Sequence, residues 1–303
     1  MNKRVLLVVN PKSGNKQGLR QAQHIAEVLK GHGYTCEVEV SLTTQDLPRI
    51  LSQKPLAQYH LAGIVGGDGS MHEWVNAVLT AYDTCPIPIA LFPCGTGNAF
   101  NVDIGCNTIQ QTIDCILAGS ISAIDVAKVE YPQSTCWSFN ILGCGLVADI
   151  NRMAENMRWL GGMRYNVASV IQLLRNRTYP LQITVGDQHT EGVYSFVLAC
   201  NTRYTGQGMM MAPRAALNDG KFDVLMVKAS SRLTLLKLFP KIFKGQHLSA
   251  PILEYHQCSE LSVHCTSAGI ASNIDGEMKG STPFTMRVYP NKIKVFVKPI
   301  RST

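Results

Sequence analysis

Apolar positions in the first 130 residues alternate between short unbroken runs and helical stripes. Val5-Leu6-Leu7-Val8-Val9 is a continuous apolar run, the pattern of a strand buried on both faces. Leu19, Ala22, Ile25, Ala26 and Leu29 then share one helical face, and Gly31 and Gly33 end it. Tyr34 to Val40 alternates apolar and polar residues and predicts a half-buried strand. Leu61 to Val65 is a third strand. Met71, Trp74, Val75, Val78 and Leu79 form the next helical stripe, with Ser70 placed to cap it. Ile87 to Phe92 is a strand, Asn107 opens a helix carrying Ile109, Ile113, Ile116 and Leu117, and Ile121 to Tyr131 is extended. Regular strand–helix alternation predicts a parallel sheet covered on both faces.

Beyond Val129 the grammar changes. Trp137–Leu142, Leu181–Val185, Val193–Cys200, Phe222–Val227, Leu261–Cys265, Phe284–Tyr289 and Ile293–Val297 read as strands separated by turn residues such as Gly186-Asp187 and Asn218-Asp219-Gly220. Two helical stretches interrupt them: Val147 to Asn176, broken at Gly161-Gly162, and Arg232 to Lys244, with Pro240 as a kink. The expected fold class is α/β plus β. It joins an N-terminal doubly wound α/β domain over 1–129 to a C-terminal antiparallel, β-sandwich-like domain over 130–290. The last strand, 291–303, is a candidate to pack back on the first domain.

Composition narrows the class. The 303 residues are 46% hydrophobic and 16% charged, which fits a packed globular protein. No apolar stretch approaches the roughly 18 residues needed to span a bilayer, and the run after Lys3-Arg4 is too short for a signal peptide. The ten cysteines show no metal-ligand spacing and suit a reducing cytosol. Cys94, beside a glycine loop, reads either as packing or as a reactive thiol. A net charge of +7 favours anionic partners. Part of it is local, because Lys228 to Ala250 holds five Lys/Arg and no Asp/Glu.

Three loops carry candidate chemistry: Asn10-Pro11-Lys12-Ser13-Gly14, Gly66-Gly67-Asp68-Gly69-Ser70 and Gly95-Thr96-Gly97-Asn98. Each follows an expected strand, so backbone N–H groups and helix N-termini gather at one sheet edge, a natural phosphate site. None matches the Walker phosphate loop or the Gly-x-Gly-x-x-Gly dinucleotide fingerprint. An aspartate among glycines should repel phosphate unless it holds a metal or takes a proton. That conflict points to phosphoryl transfer.

These three loops, in this order, resemble the diacylglycerol kinase catalytic superfamily, which includes bacterial lipid kinases and sphingosine and ceramide kinases. The resemblance covers nearly the whole chain. Gly69 to Asn76, the Ala148-Asp149 to Tyr165 segment with its Arg158-Trp159-Leu160-Gly161 core, Arg177-Thr178-Tyr179 and Asp275-Gly276-Glu277 are similar to sphingosine and ceramide kinases. Met209 to Asp223 resembles bacterial diacylglycerol or phosphatidylglycerol kinases more than sphingosine kinases, and Asp219 matches the residue that helps bind a structural Mg²⁺ in those enzymes. Asn151 stands where sphingosine kinases place an acidic residue that meets the substrate amine, while Asp149 remains two residues earlier.

The resemblance implies transfer of the ATP γ-phosphoryl to a primary hydroxyl of a membrane-derived lipid. A sphingoid base is the first choice, diacylglycerol or ceramide the alternative, and an NAD kinase-like nucleotide kinase the second alternative. Asp68 and Glu277 are the candidate bases, Asp219 and Asp275 the candidate Mg²⁺ contacts. Asn10, Pro11, Lys12, Thr43, Gly66, Gly67, Asp68, Gly69, Ser70, Gly95, Thr96, Gly97, Arg158, Arg164, Asp275, Gly276 and Glu277 would bind ATP. Gly67, Asp68, Asp149 and Asn151 would meet the lipid. A solvated helix face is the other reading of Arg158 and Arg164. The Arg232 to Lys244 helix, with Leu233, Leu236, Phe239, Ile242 and Phe243 among its lysines, is a candidate for transient contact with an anionic membrane, giving a cytoplasmic, peripherally associated enzyme. No basic–aromatic cluster suggests nucleic acid. The oligomeric state stays open, a homodimer included.

Overall fold

The computed structural model describes residues 3–43, 45–95, 97–206, 208–267 and 269–299. Thr96 therefore lies outside the described residues. The chain divides into two compact units, Met1–Ile124 with Asn291–Thr303, and Asp125–Pro290.

The first unit is built on parallel strands: β1 (Lys3–Val9), β2 (Tyr34–Val40), β3 (Leu61–Gly66) and β4 (Ile89–Pro93), in the order β2-β1-β3-β4. Val5 to Val9, all of β3 and Ile89 to Phe92 are buried, as unbroken apolar runs require. Short α1 (Ser13–Lys16) and long α2 (Gly18–Gly31) follow β1; α3 (Asp46–Gln53) follows β2, and α4 (Asp68–Ala81) follows β3. The chain leaves β1 toward β2 but leaves β3 toward β4. Right-handed crossovers then put α2 on one face and α3 with α4 on the other. The strand order reverses between β1 and β3, so their C-terminal loops diverge there and leave the crevice where open α/β sheets bind ligands. After β4 come α5 (Ala99–Asp103) and α6 (Ile109–Ala118).

Two helix starts differ from the sequence expectation. α4 begins at Asp68 itself, with Gly67 in the cap position, so Ser70 does not cap it. α6 is capped by Thr108, not Asn107: its hydroxyl accepts the Gln111 N–H at 3.1 Å and the Gln111 side chain accepts the Thr108 N–H at 3.2 Å. β2 is also more open than its alternation suggested, because it is the sheet edge and Val38 is exposed.

β5 (Ile121–Glu130) leads into the second unit and pairs with β6 (Thr135–Ser138). β7 (Ile141–Gly145), α7 (Leu146–Asn156), a 3-10 turn over Arg158–Met163, α8 (Arg164–Arg175), β8 (Tyr179–Val185) and β9 (Gln188–Cys200) follow. Then come β10 (Phe222–Lys228), α9 (Arg232–Ile242), β11 (Leu253–Cys258), β12 (Glu260–Cys265), β13 (Ala271–Ile274), β14 (Glu277–Ser281) and β15 (Phe284–Phe296). The pairings of β7 to β14 are antiparallel. β9 is the hinge of the arrangement: its first half pairs with β8, its second half with β7 and β10. Period-two alternation then gives two cores. Leu142, Leu181, Ile183, Val197, Val224, Leu261 and Phe284 fill the sandwich interior. Leu146, Leu173, Leu198, Leu225 and Leu235 pack between sheet and helices, and Met211 joins them as core.

β15 is one strand where the sequence suggested two. Its residues 284–287 pair with β12, while Val295 pairs in parallel with Ile89 of β4. Pro290 sits where the strand changes partners and no ladder N–H is needed, and Asn291 bends the chain at φ +59°.

The capping box predicts a measurable loss. Thr108→Ala should lower stability by about 1 kcal/mol, read as a reduced urea midpoint with an unchanged slope, while Asn107→Ala should have a smaller effect. Equal effects would contradict the assigned cap.

Candidate active site

Four loops leave the C-terminal ends of β1 to β4 and pack on one another. The Asn10 N–H extends the ladder to the Val65 carbonyl at 3.3 Å, and the Cys94 N–H donates to the Gly66 carbonyl at 2.7 Å. Asn10 Oδ1 accepts the Lys12 N–H at 3.0 Å, which tightens the first loop and leaves the Lys12 side chain exposed. Thr43 follows β2, and its N–H and hydroxyl bind Asp46 Oδ2 at 2.9 and 3.1 Å.

The glycines serve close approach. A Cβ on Gly67 would lie 2.8 Å from the Gly95 Cα, and one on Gly18 would lie 2.4 Å from the Asn10 carbonyl oxygen. Both are shorter than real contacts, so these backbones touch because side chains are missing. At Gly97 a Cβ would meet only Asp68 Oδ2, at 3.6 Å. Gly97 therefore leaves open space beside the carboxylate.

Asp68 is held in a way the sequence did not foretell. Its Oδ2 accepts the Ala99 N–H at 2.9 Å and its Oδ1 accepts the Phe100 N–H at 3.2 Å. The carboxylate thus occupies the amide end of α5, where a negative charge is favoured. Two backbone donors therefore hold this acid among the glycine loops. Asn98, quoted in the motif but given no role, completes the arrangement. At φ +44° it accepts the Gly95 N–H at 3.0 Å and donates to the Gly95 carbonyl at 2.8 Å. Its place after Thr-Gly and before a helix was the available signal. Cys94 is buried, and burial pushes its thiol up, so it lacks the thiolate character of a reactive cysteine.

In the second unit, Asp275 and Gly276 form the two-residue turn of the β13–β14 hairpin, with φ +52° and +95°. Asp-Gly is a strong hairpin signal that the functional reading of this motif passed over. The Asp275 side chain is 3% exposed. Its Oδ1 accepts the Ser138 hydroxyl at 2.8 Å and the Asn140 and Ile141 N–H groups, both at 3.0 Å; Oδ2 accepts the Phe139 N–H at 3.2 Å. A Mg²⁺ contact from Asp275 would have to displace bonds that hold the β6–β7 corner. Glu277, two residues on, is exposed. Asp219 is also exposed, and its Oδ1 accepts the Lys221 N–H at 3.0 Å. Among the described residues no three His, Cys, Asp or Glu side chains gather to hold a metal. A Mg²⁺ that uses one or two carboxylates and substrate phosphates needs no such cluster.

Asn151 is buried on α7 and donates to the Gly276 carbonyl at 2.6 Å, while its Oδ1 is buried with no partner. Asp149 Oδ2 accepts the Tyr179 hydroxyl at 2.5 Å and lies 3.8 Å from Arg177. Burial and this carboxylate push the Tyr179 phenol up, so it stays a donor. Arg164 lies 3.3 Å from Glu155 and over the Tyr165 ring, and its Nε has no partner. The Arg158 side chain lies outside the described residues.

Two variants probe this geometry. Asp275→Ala leaves three buried N–H groups without an acceptor and should cost about 3 kcal/mol or more, measured by denaturant unfolding. Gly67→Ala should weaken nucleotide binding by about tenfold or more, because the loop must retreat from Gly95, measured by calorimetric titration; wild-type affinity would contradict the close approach.

Residues 4–129 match the family described as the diacylglycerol kinase catalytic domain, and residues 140–297 match the YegS C-terminal NAD kinase beta sandwich-like domain. A diacylglycerol kinase of Mycobacterium tuberculosis is 28% identical over 96% of this chain and 94% of its own length. Sphingosine kinase 1 of Arabidopsis thaliana is 24% identical over 84% of this chain and 62% of its own length. The crystal structure of a diacylglycerol kinase from Bacillus anthracis has the same fold, with a TM-score of 0.75 at 18% identity over 98% of this chain and 97% of that one. The strand order, the three interlocked loops and the full-length matches agree: this chain belongs to the diacylglycerol kinase catalytic superfamily and is a lipid kinase.

Proposed function

We propose that this lipid kinase transfers the γ-phosphoryl group of ATP to the primary hydroxyl of a neutral acylglycerol, with diacylglycerol as the substrate type. The observation that carries the phosphoryl-transfer assignment is Asp68, an oriented carboxylate beside the open backbone at Gly97. ATP fits the chain's own features: glycine backbone at strand ends, helix N-termini, and the exposed Lys12 on the first loop. Mg²⁺ would supply neutralisation of the phosphate charge when bound, with Asp219 as the proposed structural ligand. Arg158 and Arg164 are proposed for the phosphates; Arg164 would exchange Glu155 for phosphate oxygens, which its planar fork suits.

Phosphoryl transfer has a loose transition state, so the hydroxyl needs orientation and a late proton acceptor more than a strong base. Asp68, already held by two N–H groups, is suited to orienting the hydroxyl. Glu277, exposed to solvent, is the competing proton acceptor.

Asn151 supports the neutral substrate. Its unpartnered amide oxygen accepts a hydrogen bond but carries no charge. An ammonium head group beside it would lose hydration without gaining a carboxylate, a costly exchange in a buried position. The carboxylate on the same helix, Asp149, is engaged by Tyr179 and Arg177. A sphingoid base, the substrate suggested by the motifs around Arg158, remains the second reading because of Asp149. The diacylglycerol kinases among the relatives favour the first.

The test is an assay with radiolabelled ATP against diacylglycerol, sphingosine, ceramide and NAD. Diacylglycerol should be labelled in preference, and Asp68→Asn should lose about a hundredfold or more in turnover. Labelling of NAD alone would overturn the lipid reading, and labelling of sphingosine alone would overturn the neutral head group. Full activity of Asp68→Asn beside an inactive Glu277→Gln would move proton acceptance to Glu277. Asn151→Asp should shift preference toward the amine-bearing lipid by about tenfold.

A further inference from the structure

The outer face of the second unit's sandwich carries a cavity lined by none of the candidate active-site residues. Its volume is about 370 Å³, and it opens to solvent over β8, β12 and β15. Period-two alternation makes its floor. Leu181, Ile183, Val263 and Phe284 fill the sandwich interior, so the side chains between them face outward. Cross-strand register sets His189, Thr184, Ser262 and Thr285 in one row across four strands, with Gln182 and His264 in the row beside it.

Each side chain of this floor is held by a neighbour and keeps bonding capacity to spare. Thr184 Oγ1 lies 3.2 Å from His189 Nδ1, and Ser262 Oγ lies 3.1 Å from Thr285 Oγ1. Gln182 Nε2 donates to Glu191 Oε2 at 3.2 Å, which leaves Gln182 Oε1 to accept from His264 Nδ1 at 3.2 Å. The neutral His264 ring then offers Nε2 as an acceptor. A hydroxyl has one donor and two acceptor positions, so the three floor hydroxyls are only partly used. The other walls are apolar and stiff. Pro132 and Pro283 contribute rigid rings. The Tyr131 hydroxyl donates to Ser272 Oγ at 2.6 Å, and the Ser272 hydroxyl donates in turn to the Lys279 carbonyl. The Tyr131 ring is wedged against Gly280, where a Cβ would lie 2.6 Å from it, and meets Phe284 edge-on at 6.0 Å. That ring is fixed in place.

We infer that this cavity is a binding site for a neutral polyhydroxylated molecule, a saccharide or polyol. Its charge argues against an anion. Among the described residues no Lys or Arg lines it, and its carboxylate, Glu130, is met by Lys128 at 3.0 Å. An apolar ligand would strip water from the floor without replacing the lost hydrogen bonds. A metal ion would need converging imidazoles, but His189 and His264 stand in different rows on the two strands that flank β8. A saccharide suits both surfaces: its hydroxyls match the neutral donors and acceptors of the floor, and its C–H faces match the tyrosine and proline walls.

Calorimetric titration of the full chain with methyl glucoside, maltose and myo-inositol tests this, with inorganic phosphate and zinc chloride as competing probes. At least one hydroxylated probe should bind, and neither phosphate nor zinc should displace it. Thr184→Val with Ser262→Ala keeps the shape of the floor and removes two hydroxyls; it should weaken binding by about thirtyfold. Ser262→Trp, which fills the cavity, should abolish it. Circular dichroism and a cooperative urea transition report that both variants fold. Octyl glucoside below its micelle concentration separates two sources of the ligand. Affinity equal to that of methyl glucoside assigns a free saccharide, and tighter binding that Ser262→Trp also abolishes assigns a lipid head group. The inference is overturned if the wild type binds none of the hydroxylated probes, if both folded variants bind them as the wild type does, or if zinc or phosphate displaces them.

Discussion

The bond pair from the Ala99 and Phe100 amides to the Asp68 carboxylate holds the first unit's reactive edge together. It joins the loop after β3 to the helix after β4, across the place where Gly67 and Gly95 meet backbone to backbone. Neither element is rigid alone. A glycine-rich loop has high conformational freedom, and a helix as short as α5 is marginal by itself. The carboxylate restrains both by satisfying amides that would otherwise face a crevice unpaired. The Asn98 ring of bonds to Gly95 completes the restraint. The same interaction aims the carboxylate, because one amide N–H donates to each of its oxygens.

The second unit divides its acids by burial. Asp275 is enclosed and spends its oxygens on a hydroxyl and three amides of the β6–β7 corner, which makes it part of the frame. Glu277 starts the next strand in solvent and stays available. Asn151 links α7 to the intervening Gly276, so frame, turn and helix are one hydrogen-bonded assembly. The helices above this sheet bury one face in the core and leave lysines and large apolar residues outside.

Much of this was legible along the chain. Unbroken apolar runs gave the parallel strands and period-two patterns gave the antiparallel ones, because burial on two faces or on one writes directly into sequence. The glycine loops marked the reactive edge, since only glycine permits such approach, and the order of motifs carried the family. Local patterns misled where two candidates stood side by side. Ser70 and Asn107 both looked like helix caps, but Gly67 and Thr108 hold those positions. Pro290-Asn291 read as a turn between strands because a proline break and a change of pairing partner look alike in one dimension.

By itself the sequence determined the class of the long strands and helices, the location of the glycine-rich loops at the strand ends and the kind of chemistry, all of which depend on neighbours within a few residues. Only the tertiary structure decided what each acid does. Asp68 finds its donors 31 and 32 residues away, and Asp275 finds its own 134 to 137 residues away. Whether a carboxylate is a frame or a reagent depends on which amides the fold brings to it, and those separations leave no local trace.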